Sequence, residues 1–317
     1  MTEPTTTIVT LTMNPALDVT TSAERVGPTS KIRCHGVRYD AGGGGINVAR
    51  VARVLGGSVS AVFPAGAHTG DLVTTLVADA DVPYRRVNIS EPTRESFTID
   101  EECSGQQYRF VLPGPRLSFV EQARCLDELR DAARSAEFVV ASGSLPPGVP
   151  ADFYQRVADL CRELGVLLIL DTSGGGLRHI TSGVFLLKPS LRELRECCGS
   201  DLATEAEQLA AAHDLINSGV TQTMVVSLGG KGALLATTHG SQRFSPVPVK
   251  VVSGVGAGDA MVAAITVGLS RGWPLGKAVR FGIATGTAML MTPGPAPCHR
   301  EDAERIFETA PEPVDIG

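Results

Sequence analysis

The stretch Val252-Ser253-Gly254-Val255-Gly256-Ala257-Gly258-Asp259-Ala260-Met261-Val262-Ala263-Ala264-Ile265 sets three glycines at alternate positions just before an apolar run of helical length. Glycines leave the backbone N–H groups accessible, and the helix start adds the positive end of its dipole, so the junction is an anion cradle. Gly-rich helix starts are frequent in α/β proteins. Asp259 falls in the first turn, where helix capping is the ordinary role of a carboxylate. The chemical alternative is that Asp259 faces a nucleophile. A carboxylate beside a phosphate cradle can accept the proton of a hydroxyl that attacks a γ-phosphorus, while the amides of Gly256, Ala257 and Gly258 meet the charge that builds on the transferred group.

A second cluster, Asp40-Ala41-Gly42-Gly43-Gly44-Gly45-Ile46-Asn47-Val48-Ala49-Arg50, also precedes a helix, since Val48, Val51, Ala52 and Leu55 recur at helical spacing. Close packing is the ordinary reason for glycine here. Four in a row exceed that need, and Asn47 offers a donor and an acceptor to a polyol, so the segment reads as a sugar-facing wall.

Outward from these clusters, β-branched runs at 7–12, 58–63, 138–142, 166–171, 184–187 and 223–228 alternate with helical patterns near 118–134, 151–164, 203–217, 258–271 and 274–291. This alternation predicts a mostly parallel sheet with helices on both faces. Two stretches break the rhythm. Residues 15–40 lack a helix, and Glu95–Asp100 with Gln107–Val111 reads as a hairpin turning at Ser104-Gly105. Both are expected to form a small β lid over a cleft, covering 15–40 and 93–112, on an α/β core made of 5–14, 41–92 and 113–310. The tail around Pro311–Gly317 is expected to be poorly ordered.

Composition narrows the function. With 317 residues, 43% hydrophobic, the chain can bury a large core. A net charge of −6 argues against a nucleic-acid partner. No run is apolar enough to span a membrane and Met1-Thr2-Glu3-Pro4 does not resemble a secretory signal, so a cytoplasmic location is expected. Seven cysteines without C-x-x-C spacing read as reduced core thiols, and six scattered histidines show no metal-ligand spacing. Gly272-Trp273-Pro274-Leu275-Gly276-Lys277-Ala278 is one residue short of a P-loop and lacks its hydroxyl, and G-x-G-x-x-G is absent.

The two glycine clusters, in this order, resemble the phosphofructokinase-B branch of the ribokinase-like sugar kinases. Leu11–Asp18, Phe63-Pro64-Ala65-Gly66, Thr93-Arg94, Ser142-Gly143-Ser144-Leu145-Pro146-Pro147-Gly148, Lys188–Leu194 and Val226-Ser227-Leu228-Gly229 extend the likeness over nearly the whole chain. The resemblance implies a three-layer αβα sandwich with a small β-sheet lid that doubles as a homodimer clasp. It makes Asp259 the base and Gly256, Ala257 and Gly258 the anion hole. Asp18, Gly43, Gly44, Asn47 and Ser144 would hold the sugar, and Lys188, Ser190, Ser227 and Gly229 the nucleotide. Glu193 would hold Mg²⁺ through water, with ATP as co-substrate. Monovalent-cation activation in the wider family implies a K⁺ site at carbonyls near 253–255 and 288–294.

Lys31, Arg94 and Arg109 stand where phosphosugar-specific members carry cations, which implies a phosphorylated ketohexose. The four glycines bring the chain nearer the minor bacterial 6-phosphofructokinases than the 1-phosphofructokinase and tagatose-phosphate group, whose members typically carry Gly-Gly-Lys-Gly. The expected reaction is therefore attack of the C1 hydroxyl of fructose 6-phosphate on ATP, giving fructose 1,6-bisphosphate. Kinases of tagatose 6-phosphate, fructose 1-phosphate or a neutral small molecule, and a catalytically weakened sugar-phosphate-binding regulator, are the alternatives. Two departures keep the last of these open: Gly254 replaces a usual threonine and Ser190 a usual asparagine.

Overall fold

A computed structural model describes residues 7–28, 31–292 and 296–316. Residues 5 and 6 of the expected core, 29 and 30 of the expected lid, 293 and 294 of the expected K⁺ site, and Gly317 lie outside the described residues. The chain begins with β1 (Ile8–Leu11), β2 (Ala16–Ala23), β3 (His35–Gly42), α1 (Gly44–Val54), β4 (Val59–Ala65), α2 (Ala67–Asp79) and β5 (Tyr84–Asn88). It continues through β6 (Arg94–Glu101), β7 (Gln107–Val111), α3 (Phe119–Ala133), β8 (Phe138–Ser142), α4 (Phe153–Leu164), β9 (Leu167–Asp171), α5 (Gly174–Arg178), β10 (Val184–Leu187) and α6 (Leu191–Cys198). The last part is α7 (Glu205–Asn217), β11 (Thr221–Ser227), β12 (Ala233–Thr237), β13 (Gly240–Phe244), α8 (Ala257–Ser270), α9 (Leu275–Leu290), α10 (Arg300–Thr309) and β14 (Val314–Asp315).

Ten strands form the central sheet in the order β14-β13-β12-β11-β10-β9-β8-β1-β4-β5. From β11 to β5 every pairing is parallel, and β12, β13 and β14 extend one edge antiparallel. Strand periodicity divides the core. Ile8 packs with α1, α2, α8, α9 and α10 on one face, and its neighbours Val9 and Leu11 pack with α3 to α7 on the other. The result is the expected three-layer αβα sandwich. A separate sheet, β3-β2-β6-β7, is built from the two rhythm-breaking stretches. Its central pair β2–β6 is parallel, and β6 and β7 are the expected hairpin.

Three expectations need correction. Val314 and Asp315 pair with Arg243 and Gln242, and the Ile316 amide donates to Ser241, so the tail expected to be loose closes the sheet edge. Two residue pairs and a backbone hydrogen bond leave no hydrophobic signature, so sequence pattern misses them. Cys125, Cys161 and Cys298 are buried, but Cys34, Cys103 and Cys198 are exposed. The four glycines at 42–45 do serve packing: a Cβ at Gly42 would meet the Asp18 carboxylate, at Gly43 the Thr12 methyl at 2.7 Å, at Gly44 Ser142 and at Gly45 the Leu11 carbonyl at 2.5 Å. Among the described residues, no helix is long and apolar enough to cross a membrane.

Candidate active site

Parallel strands deliver their C-terminal ends to one side of a sheet, and crevices there are the natural ligand sites of α/β folds. On that side β1 leads into Asn14, β8 ends at Ser142, β9 at Asp171, β10 leads to Lys188 and β11 ends at Ser227. Helices α1 and α8 pack together in the same layer and bring Asn47 and Asp259 face to face.

Asp259 is not a cap. Helix α8 has Gly256 at its N-cap, in the left-handed conformation with φ 77°, and no side chain caps it. The Asp259 carboxylate instead accepts from Asn47 Nδ2 at 2.9 Å on one oxygen and from Ser142 Oγ at 3.4 Å on the other. Burial, reinforced by the nearby Asp171 carboxylate, pushes Asp259 up to about 7, against the opposing pull of Asn47, Lys188 and Ser142. The first-turn N–H groups of α8 have no intrahelical acceptor. A Cβ at Gly258 would find only Lys188 Nζ, 3.7 Å away, and at Gly254 it would find open space.

Lys188 is 4% exposed and pairs with Asp171 at 3.1 Å. Burial alone would lower the ammonium, but Asp171, Glu193 and Asp259 hold it above its ordinary value, so it stays charged beneath the glycine loop. Beside it, Ser190 and Glu193 form the capping box of α6. Ser190 Oγ donates to Glu193 at 2.7 Å and the Ser190 amide at 2.8 Å, while the Glu193 amide donates back to Ser190 Oγ. Gly254, Ala257, Gly258, Ser227 and Gly229 line a cavity of about 490 Å³, within the range of small-ligand sites. Lys277, in the near-P-loop string, has its ammonium 4.3 Å from the centre of the Trp273 ring and is not among the residues lining this cavity.

Across the glycine loop, Val255 joins Asp18, Arg109, Ser96 and Thr98 around a narrow cleft under the four-stranded sheet. Register explains this grouping: Asp18 pairs with Ser96 and Thr98 with Arg109, so all four side chains leave the same face. Burial pushes Asp18 up to about 6, against the pull of Arg94 and Arg109. Ser144 is exposed and accepts from Asn14 Nδ2 at 3.1 Å. Arg94 donates to the carbonyls of Asn14 and Leu112. Gly43 and Gly44 are half-buried at the start of α1. Lys31 is exposed in the loop before β3 and lines neither cavity. Near the expected K⁺ position, the Leu290 carbonyl accepts from Val252 and Ser253 amides at 2.7 and 3.2 Å.

Sequence reading missed Asn14, Ser142 and Asp171 as candidate site residues. Each sits inside a stretch already singled out as a strand or motif, but its contacts join residues 117 to 130 positions apart or a buried lysine on the next strand. A carboxylate closing the buried strand β9 was the one available signal.

The chain matches the pfkB family carbohydrate kinase model over residues 8–302. It is 66% identical over 310 residues to ATP-dependent 6-phosphofructokinase isozyme 2 of Mycobacterium tuberculosis, covering 98% of this chain and 91% of that one. Identity to the Escherichia coli protein of the same name is 38%, covering 95% and 97% of the two chains. The crystal structure of phosphofructokinase-2 from Escherichia coli in complex with fructose-6-phosphate superposes with a TM-score of 0.90 at 36% identity, covering 96% of this chain and 99% of that one. The Escherichia coli protein has also been solved with potassium and in a tetrameric inhibited form. A family match across nearly the whole chain, with the glycine loop, its aspartate and the αβα sandwich in place, means that this protein belongs to the pfkB family of carbohydrate kinases.

Proposed function

We propose that the protein transfers the γ-phosphate of ATP to the C1 hydroxyl of fructose 6-phosphate, giving fructose 1,6-bisphosphate and ADP. The observation that carries this reading is the position of Asp259. Its carboxylate is gripped by Asn47 and Ser142 where the glycine loop separates the Asp18–Arg109 cleft from the large cavity. A sugar in the cleft and ATP in the cavity would meet at that loop. The names and the fructose-6-phosphate complex of the relatives support the same substrates.

In the transfer, the C1 hydroxyl gives its proton to Asp259 as its oxygen bonds to the γ-phosphorus, and the bond to the β-phosphate oxygen breaks with its electron pair leaving on ADP. Gly256, Ala257 and Gly258 amides and the Lys188 ammonium face the charge on the transferred group. Asp18, Gly43, Gly44, Asn47 and Ser144 hold sugar hydroxyls. Asn47 Oδ1 is buried without a hydrogen-bond partner among the described residues, which suits it to a substrate hydroxyl. Arg94, Arg109 and Lys31 supply charge for the 6-phosphate. Ser190, Ser227 and Gly229 serve the nucleotide, although the Ser190 hydroxyl is already engaged in its capping box.

Among the described residues, no three His, Cys, Asp or Glu side chains converge into a metal cage. Mg²⁺ keeps several waters and takes its other ligands largely from nucleotide phosphates, so it needs no such cage. Glu193 would hold it through water, and the bound ion would neutralise phosphate charge. K⁺ belongs to the same reading through carbonyls near 253–255 and 288–294, in keeping with the potassium complex of the relative.

The four-stranded sheet, with residues 15–40 and 93–112, acts as a lid over the sugar on the α/β core of 5–14, 41–92 and 113–310. Its face away from the cleft carries Tyr39, Val19, Phe97 and Phe110 in one cross-strand row, with Tyr39 48% and Phe110 49% exposed. A homodimer clasp would bury that row. The protein is assigned to the cytoplasm, where its proposed substrates occur.

The test is ADP release by purified protein with Mg-ATP and fructose 6-phosphate, tagatose 6-phosphate, fructose 1-phosphate, fructose or ribose, beside Asp259→Asn. Turnover greatest on fructose 6-phosphate and lost in the variant is expected. Turnover confined to another sugar would replace the substrate, and tight ATP binding with no turnover on any sugar would favour the weakened regulator.

A further inference from the structure

The chain passes between core and lid four times: after β1, between β3 and α1, between β5 and β6, and after β7. Arg94 stands at the third crossing and reaches two others. Its Nη2 donates to the Asn14 carbonyl at 3.1 Å and its Nη1 to the Leu112 carbonyl at 3.2 Å, so one guanidinium bridges the places where the chain first enters and last leaves the lid. Thr93 anchors this arginine to the core through Gly66, with hydrogen bonds of 3.1 Å in both directions, and through Thr69 at 2.8 Å.

Asn14 completes the knot. It is only 7% exposed. Its Nδ2 donates to Ser144 Oγ, and its Oδ1 has no hydrogen-bond partner among the described residues. The space a Cβ would take at Gly114, where the chain re-enters the core, is already filled by Asn14 Oδ1. Gly114 therefore has to be glycine for Asn14 to lie between the lid crossings and Ser144. The remaining crossing is held separately, with Arg50 Nη1 donating to the Ala41 carbonyl at 3.0 Å and Nη2 lying 3.4 Å from Asp40.

We infer that Asn14 and Gly114 position the sugar for transfer, by forming with Arg94 a hinge clamp that sets the lid and Ser144 together. The inference rests on the proposed phosphorylation of fructose 6-phosphate. A phosphate oxygen is a stronger acceptor than a peptide carbonyl. A sugar phosphate reaching Arg94 thus draws on the same donors that hold the hinge, which links lid position to sugar occupancy. Asn14 acts through Ser144 and the hinge and touches no reacting atom, so it is a positioning residue.

The test uses Asn14→Ala and Gly114→Ala in the whole 317-residue chain. Amide hydrogen exchange without sugar should quicken several-fold in β2, β6 and β7 while β8, β9 and β10 keep their protection. Steady-state kinetics should show the KM for fructose 6-phosphate raised by about tenfold with the KM for ATP unchanged. ADP released per fructose bisphosphate formed should also rise, because a loosened lid admits water to the phosphoryl group. Unchanged lid exchange, or a lower melting temperature with the sugar KM and the ADP ratio intact, would overturn the clamp. If Gly114→Ala does not fold, Asn14→Ala decides. Should the unaltered protein fail to turn over fructose 6-phosphate, the substrate reading falls, and lid exchange alone still decides whether the clamp exists.

Discussion

Glycines 42–45 and glycines 254, 256 and 258 both open helices beside Asp259, and in the sequence they look alike. In the fold they use space in opposite ways. Every position in the first run is crowded: its missing side chain makes room for Asp18, Thr12, Ser142 or the Leu11 carbonyl. The second run is largely open. Gly254 has no neighbour, Gly258 only the tip of Lys188, and Gly256 the end of the Met289 side chain at 3.0 Å. A glycine string can thus bring protein groups close to one another or keep them away from a ligand. Neighbours assembled from distant parts of the chain decide which.

Removing Asp259, the carboxylate both runs serve, should have the largest effect. Asp259→Asn is expected to lower kcat by about 10²–10⁴-fold, as loss of a general base does, measured by coupled ADP release. In the unaltered protein kcat/KM should fall as pH drops below about 7, the value to which Asp259 is raised. Its stability effect runs the other way. Because the folded state binds this proton more tightly than the unfolded chain, the associated stability is fully present at low pH and is lost as pH rises through about 7. Asp259→Asn should therefore melt higher than the unaltered protein at pH 8, with the advantage shrinking as pH falls toward 4.

The crowded run comes next. Gly45→Ala would force a methyl against the Leu11 carbonyl and is expected to destabilise by about 1–3 kcal/mol, the usual cost of overpacking, read from denaturant unfolding. The open run should separate stability from activity. Gly258→Ala should leave the melting temperature nearly unchanged while lowering kcat by about 10-fold or more, because the new methyl would sit 3.7 Å from Lys188 Nζ, in the loop whose amides we propose to meet the phosphate. A large stability loss there would erase the distinction between the two runs. Gly254→Thr, which installs the threonine that the family resemblance implies, should have the smallest effect: unchanged melting and an ATP KM lowered severalfold at most. With nothing within 4 Å of the new Cβ, its influence should come mainly through loop stiffness and the added hydroxyl.

Legibility in the sequence followed the range of the interaction. The buried parallel strands β1, β4, β8, β9, β10 and β11 were readable from their apolar runs, and α1, α3, α4, α7, α8 and α9 from their helical stripes. The edge strands β5 and β14 were not, nor were β12 and β13 inside the β14 edge; β13, for one, reads Gly-Ser-Gln-Arg-Phe and owes its order to pairing. Asp259 stood out because a local glycine loop announced it. Ser142 and Asn14 did not, because a serine at a strand end or an asparagine before a proline has many ordinary uses.

By itself, the sequence determined the layered α/β class, the glycine-rich helix start at 254–258 and the carboxylate following it, all of which arise from residues within a few positions of one another. Only the tertiary structure decided that Asp259 is held by Asn47 and Ser142, that Asp171 keeps Lys188 charged, and that Arg94 ties together the two ends of the lid. Burial and the approach of groups far apart in the chain fix those charges and contacts, and neither exists until the sheet has formed.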